Sequence, residues 1–286
     1  MKERTFTGIV WGICMPLFLY FGMEVFFSWI LSAFPEALLP ADSAMWILTA
    51  KNLLMLPVFV WIYREEGVID ALFLGRTEVT SVEEFQERME QGRTRGRRIP
   101  LWELLFVILC SVFFSRAVNY LLGLTWLPRY FTGYEAVSEE IFGCSLFSQV
   151  AASVISAPLL EETLMRGIIY SRLKRSTGDV RVAIAGSALI FGIFHGNVVQ
   201  GVYAFLLGLL FAWLYEAYDR LFPAIAAHMA ANAASIFLEK TGWMQWVSGN
   251  VSLYYLTTAV LFLAGYLCFR EISLSRQREA KHRWKN

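Results

Sequence analysis

Leu160-Glu161-Glu162-Thr163-Leu164-Met165-Arg166 sets three ionisable side chains inside an apolar run from Leu146 to Tyr170. Charged groups in such a run are costly in hydrocarbon, and they face a cavity, a partner or a reaction. Glu162 and Arg166 stand at i and i+4 on one helical face, with the acid N-terminal as a favourable pair requires. Glu161 lies about 100° around the helix. It has Met165 one turn on, not a cation, which makes it the candidate general base. Pro158 lacks an N–H and its ring clashes with the preceding turn, so the spacing predicts a kink and a freed carbonyl beside the carboxylates.

Outward from this stretch the chain is built of similar runs. At 57% hydrophobic residues and a mean hydropathy of +0.49, its 286 residues are too apolar for a soluble globule. A span of the hydrocarbon core needs about 20 apolar residues as helix. Eight segments are candidates: Gly8 to Phe34, Ala44 to Tyr63, Leu101 to Leu122, Leu146 to Tyr170, Val182 to Asn197, Gln200 to Tyr215, Phe222 to Leu238 and Leu253 to Phe269. The expected fold is all-α, a polytopic membrane helix bundle of about eight transmembrane helices forming a single integral membrane domain over residues 1–286. Its one sizeable insertion is a loop over 64–99, in which Ser81 and Glu84 resemble a capping box and GRTRGRR reads as a flexible basic segment against headgroups. The basic C-terminal tail invites the same reading, although ordinary topology signals explain both and are preferred. No internal repeat is visible, which weighs against transporter folds built from duplicated halves.

Positive charge sets the orientation. Lys2 and Arg4 precede the first span; Arg64, Arg76, Arg88, Arg93, Arg95, Arg97 and Arg98 follow the second; Arg172, Lys174, Arg175 and Arg181 follow the fourth. Arg220 follows the sixth, and Arg270, Arg276, Arg278, Lys281, Arg283 and Lys285 follow the eighth. The opposite loops hold Arg129 and Lys240, with Lys51 near the outer end of the second span. Both termini are therefore expected in the cytoplasm, with the first span retained, since its run is too long for a signal h-region and lacks a clear cleavage site. A formal charge of +1 gives no basic face for nucleic acid. The partners expected are the lipid bilayer and a substrate within it. Cys14, Cys110, Cys144 and Cys268 form no CxxC pair and read as small reduced hydrophobes.

Two further spans carry polar groups, Phe191-Gly192-Ile193-Phe194-His195 in the fifth and His228-Met229-Ala230-Ala231-Asn232 in the seventh. Counted from the nearest cytoplasmic arginine, Glu161 is about 16 Å, His195 about 21 Å and His228 about 12 Å deep if each segment is helical. The three can meet at one level. His228 and Asn232 share a face at i and i+4, an imidazole with a neutral amide donor suited to an oxyanion. Phe191 has the same relation to His195 and reads as a packing wedge. Glu162 with Arg166 alone would be a structural pair, and one intramembrane histidine a bundle hydrogen bond, but three helices presenting such groups at matching depth exceed packing needs. Glu24 in the first span, and Arg116 with Asn119 in the third, are isolated polar sites expected to pair or to line the cavity, and they receive no catalytic role.

The ordered set EExxxR (Glu161, Glu162, Arg166), FxxxH (Phe191, His195) and HxxxN (His228, Asn232) resembles the CAAX protease and bacteriocin-processing family, which includes the type II CAAX prenyl endopeptidases. The resemblance covers roughly residues 149–238. It implies an intramembrane endopeptidase in which Glu161 and His195 activate water, His228 and Asn232 bind the oxyanion, and Glu162 with Arg166 holds the site in shape. The family has been described both as metalloproteases and as metal-free glutamate-dependent proteases. Glu161, His195, His228 and a water would satisfy a catalytic zinc or another divalent metal. The metal-free version needs instead a carboxylate poised to take a proton and preorganised donors, and is preferred because the HExxH signature is absent. The expected substrate is a membrane-embedded or lipid-anchored peptide or protein, in a prokaryotic plasma membrane. From other classes, the rivals are a proton-coupled transporter or channel and a non-enzymatic membrane scaffold.

Overall fold

A computed structural model of the chain describes residues 6–33, 42–62, 99–131, 133 and 141–283. The expected loop over 64–99 lies outside them except for its last residue, as do its capping box, the basic GRTRGRR stretch and the N-terminal Lys2 and Arg4. The described chain is helical throughout, with no strand among the described residues. Its main helices are α1 (Phe6–Ser32), α2 (Ser43–Ile62), α3 (Leu101–Gly123), α4, α5 (Val180–Phe194), α6 (Val198–Tyr218), α7 (Leu221–Lys240) and α8 (Val251–Arg283). Short helices Leu127–Tyr130 and Trp243–Ser248 follow α3 and α7. Six of these helices, α1, α2, α3, α6, α7 and α8, are long and apolar enough to cross a membrane, and α5 is a shorter apolar helix.

Helix α4 alternates α-helical segments (Leu146–Gln149, Ala157–Glu162, Ser171–Thr177) with wider π-helical ones (Val150–Ser156, Thr163–Tyr170). It is the axis of the bundle. Every residue from Thr163 to Tyr170 is buried, which fits a segment apolar around most of its circumference, and α1, α2, α5, α6 and α7 all pack on it. Outward faces elsewhere carry Phe18, Trp29, Trp61, Leu105, Ile193, Phe237, Leu256 and Leu263 exposed to the surroundings. Apolar residues on that scale belong against lipid, not water.

Several boundaries differ from the sequence expectation. The fifth span was expected to run from Val182 to Asn197, but α5 ends at Phe194, with His195 as its C-cap. Gly196 then turns the chain at φ +67°, a left-handed conformation that glycine adopts without a Cβ penalty. Asn197 starts α6 by accepting from the N–H groups of Val199 and Gln200, the preferred chemistry of an N-cap. The hairpin so formed is tight: a Cβ on Gly192 would come within 2.7 Å of the Gly201 carbonyl oxygen, and one on Gly201 within 2.9 Å of the Gly192 oxygen. Small residues let two membrane helices approach this closely.

The basic C-terminal segment is not a flexible tail through Arg283, because α8 continues unbroken past the expected end at Phe269. Packing accounts for it. Ile272 is fully buried, Ser275 donates to the Glu103 carboxylate of α3, and Arg276 lies 3.6 Å from the same carboxylate.

Candidate active site

Helices α4, α5, α6 and α7 bring the motif side chains together around one aromatic ring. Phe191 of α5 lies edge-on to His195 at 4.8 Å and to His228 at 5.8 Å between centroids, and the Arg166 guanidinium sits over its face at 4.8 Å. On the other side Phe211 of α6 stacks on His228 at 5.0 Å and faces Arg166 at 5.5 Å. A cation between two ring faces gains from both quadrupoles where water is absent.

Arg166 and Glu162 are both completely buried and joined at 2.8 Å, as the i, i+4 spacing predicts. The second arm of the guanidinium donates to the Gly208 carbonyl at 2.8 Å. Glycine matters there: an added Cβ would press on Ala188 at 3.1 Å and on the Phe191 ring at 3.3 Å. The same Glu162 oxygen lies 2.8 Å from Nδ1 of His228. A carboxylate only accepts, so this contact fixes the hydrogen on Nδ1 and turns Nε2 toward Glu161, whose Oε2 is 3.8 Å away. Glu161 retains some exposure, whereas Glu162 has none. The two adjacent carboxylates thus have different surroundings, one clamped by Arg166 and His228, the other facing a gap beside an imidazole.

His195 is placed differently from His228. Its Nδ1 lies 2.8 Å from the carbonyl oxygen of Phe191, one turn back, and among the described residues no hydrogen bond or ion pair joins it to Glu161. The imidazole beside Glu161 is that of His228. Among the described residues no three His, Cys, Asp or Glu side chains are grouped as metal ligands. Nδ1 of His228 is taken up by Glu162 and Nδ1 of His195 by the Phe191 carbonyl, which leaves Nε2 of each ring for any further contact.

Asn232 donates from Nδ2 to the carbonyl of Ser153 at 2.8 Å, and Pro158 explains why that carbonyl is available. In the π-helical register of this segment Ala157 N–H bonds to the Ala152 carbonyl, five residues back. The next bond in that register would join residue 158 to Ser153, and proline has no hydrogen to give. Asn232 fills the gap from a neighbouring helix. Its Nδ2 carries a second hydrogen, so the amide remains a possible donor to a bound group.

A second polar cluster adjoins the site. Lys51 of α2, almost wholly buried, pairs with Glu24 of α1 and donates to the Tyr20 hydroxyl at 3.0 Å. The Tyr20 ring packs on Phe194 at 4.4 Å, next to His195. Glu24, expected to pair or to line the cavity, is paired, and Lys51 belongs to the bundle interior. Neither was detectable from spacing within one helix. Gly208 and Phe211 were also missed; a glycine and an aromatic one turn apart in a membrane helix were the available signal.

The comparisons with known proteins fall on the same part of the chain. Residues 143–234 match the family model described as type II CAAX prenyl endopeptidase Rce1-like. A curated relative is YdiL of Bacillus subtilis (strain 168), named as an inferred membrane peptidase, which is 30% identical over 90 residues. That match spans 32% of this chain and 36% of the relative, so about a third of each is similar. No solved structure matches. The matched segment runs from the start of α4 into α7 and includes every motif position described above. Through that segment the chain is similar to the CAAX protease and bacteriocin-processing family.

Proposed function

We propose that this protein is a CAAX-protease-like membrane peptidase, an intramembrane endopeptidase that hydrolyses a peptide bond in a membrane-embedded or lipid-anchored peptide or protein. The observation that carries the reading is the asymmetric carboxylate pair, with Glu162 held by Arg166 and His228 while Glu161 faces the gap beside Nε2 of His228. Glu161 takes a proton from water as its oxygen attacks the scissile carbonyl. The oxyanion that forms is met by His228 Nε2–H and the free hydrogen on Asn232 Nδ2. Collapse of the tetrahedral intermediate breaks the C–N bond, and Glu161 returns the proton to the leaving amine.

Donation from Nε2 while Nδ1 donates to Glu162 requires a hydrogen on each ring nitrogen. Arg166 and Glu162 act through His228, and Phe191 and Phe211 fix its ring plane. His195 stands at the α5–α6 turn beside the same cluster and assists in holding the water. The membrane proposed is a prokaryotic plasma membrane, crossed by about eight helices with both termini in the cytoplasm.

The test is cleavage of a membrane-peptide library by purified full-length protein beside a Glu161→Ala variant. Cleavage by the first and none by the second is expected; equal cleavage would move the base elsewhere. The active protein is expected to hold far less than one zinc per chain and to keep its activity after dialysis against a strong chelator. Loss on chelation with recovery on adding zinc would make Glu161, His195 and His228 ligands.

A further inference from the structure

Arg116 of α3 is 5% exposed and lines a cavity of about 410 Å³ with Asn119, Tyr120, Gln200, Tyr203 and Glu239, among others. Its guanidinium donates twice from one terminal nitrogen, to the Tyr203 hydroxyl at 3.0 Å and to the Ser235 hydroxyl at 2.5 Å. Neither partner is charged. Glu239, the carboxylate on this wall, accepts from Gln245 at 3.0 Å, and among the described residues no carboxylate lies within ion-pair distance of Arg116. A buried guanidinium held by neutral hydroxyls keeps a whole positive charge in low dielectric, a costly state unless an anion enters beside it.

We propose that this cavity binds one small inorganic monoanion, with chloride the abundant candidate, between α3, α6 and α7. Hydrogen-bond donors without an acceptor line it. Arg116 Nε and the Tyr120 hydroxyl are both buried and unpartnered, and they stand at i and i+4 on one face of α3. The Tyr203 hydroxyl accepts from Arg116 and has its own hydrogen left to give. Asn119 of α3 and Gln200 of α6 add amide hydrogens to the same lining. Ser235 has a different part: its hydrogen goes to the Ala231 carbonyl at 3.1 Å, which leaves its oxygen to hold the guanidinium in place before anything binds.

Charge and donor chemistry select the class of ligand. One uncompensated cation balances one negative charge, whereas sulfate or hydrogen phosphate would leave an excess negative charge in a cavity that also contains Glu239. The uncommitted groups are N–H and O–H donors, and a halide accepts from any direction. Pro128, Gln245 and Ser248 also line the cavity, and they belong to the short helices that follow α3 and α7. Trp126 and Trp246 are exposed in those segments, as at a membrane–water interface. The ion therefore enters from the end of the bundle opposite Arg172 and Lys174, and nothing in the site depends on the chemistry at Glu161.

Binding is measured with radioactive chloride on purified full-length protein in detergent and sodium gluconate. Saturable binding of one chloride per chain is expected, with bromide competing and sulfate not. Tyr203→Phe is expected to weaken it about tenfold or more, the usual worth of a hydrogen bond to a charged group, and Arg116→Gln to abolish it. Thermal unfolding gives a second reading, since an ion that binds the folded state raises the midpoint with its concentration. Chloride is expected to raise the midpoint of the wild type and leave that of Arg116→Gln unmoved, while in gluconate the two unfold alike. Absence of saturable binding overturns the proposal, as does binding that survives Arg116→Gln. Sulfate competing as well as bromide overturns the monoanion class, and displacement of chloride by phosphatidylglycerol micelles makes the cavity a lipid-headgroup site instead. Should Arg116→Gln not fold, unchanged chloride affinity in Tyr203→Phe overturns the proposal by itself.

Discussion

Arg166 and Arg116 are both sunk in the helix bundle, 0% and 5% exposed, yet their surroundings are opposites. Arg166 has a carboxylate at 2.8 Å, a backbone carbonyl at 2.8 Å and an aromatic ring on either side. Arg116 has two hydroxyls and open volume beside it; Nε is without a partner in both. A guanidinium whose charge is cancelled within the chain serves as a strut, because any disturbance strands a charge. One whose charge is left over beside a cavity is poised to hold something that arrives. Burial alone does not distinguish a structural cation from a binding one; the inventory of partners does.

Glu162→Gln breaks this comparison most severely, because it turns Arg166 into a cation without a carboxylate and without a cavity. A loss of about 3–5 kcal/mol is expected, the usual cost of removing one partner of a buried pair, read by denaturant unfolding in detergent. Adding Arg166→Met should restore part of it. An unchanged unfolding transition in the single variant would remove Glu162 from the strut.

Asn232→Ala separates a packing role from a chemical one. It leaves the Ser153 carbonyl without a donor, worth about 1–3 kcal/mol, and removes the proposed oxyanion donor, worth about 10²- to 10³-fold in kcat. Pro158→Ala supplies an N–H to the same carbonyl. The Pro158→Ala/Asn232→Ala protein is therefore expected to recover stability and stay slow, and recovery of both would make Asn232 purely structural.

Arg116→Gln is expected to have the smallest effect, changing unfolding by less than about 1 kcal/mol or raising stability slightly, since no carboxylate is orphaned and a buried charge is relieved. A loss as large as that of Glu162→Gln would reveal a counter-ion for Arg116 within the chain and bring the two arginines into one class.

What the amino-acid order settled by itself is whatever a single helix repeats along its own axis. Apolar runs longer than a bilayer core identified the all-α membrane fold, and i, i+4 spacing paired Glu162 with Arg166 and set Glu161 apart, because helical geometry ties sequence distance to direction. The proline at 158 announced a freed carbonyl for the same reason. Tertiary structure decided everything that joins one helix to another: the contact of His228, not His195, with Glu161, the cap of Asn232 on Ser153, the hold of Gly208 and the two rings on Arg166, the pairing of Lys51 with Glu24, and the cavity at Arg116. It also decided the π-helical segments of α4, which shift each following side chain around the axis relative to an α-helical count. Such relations depend on the rotation and depth at which helices dock, and packing of many weak contacts sets those, with no fixed period in the chain to reveal them.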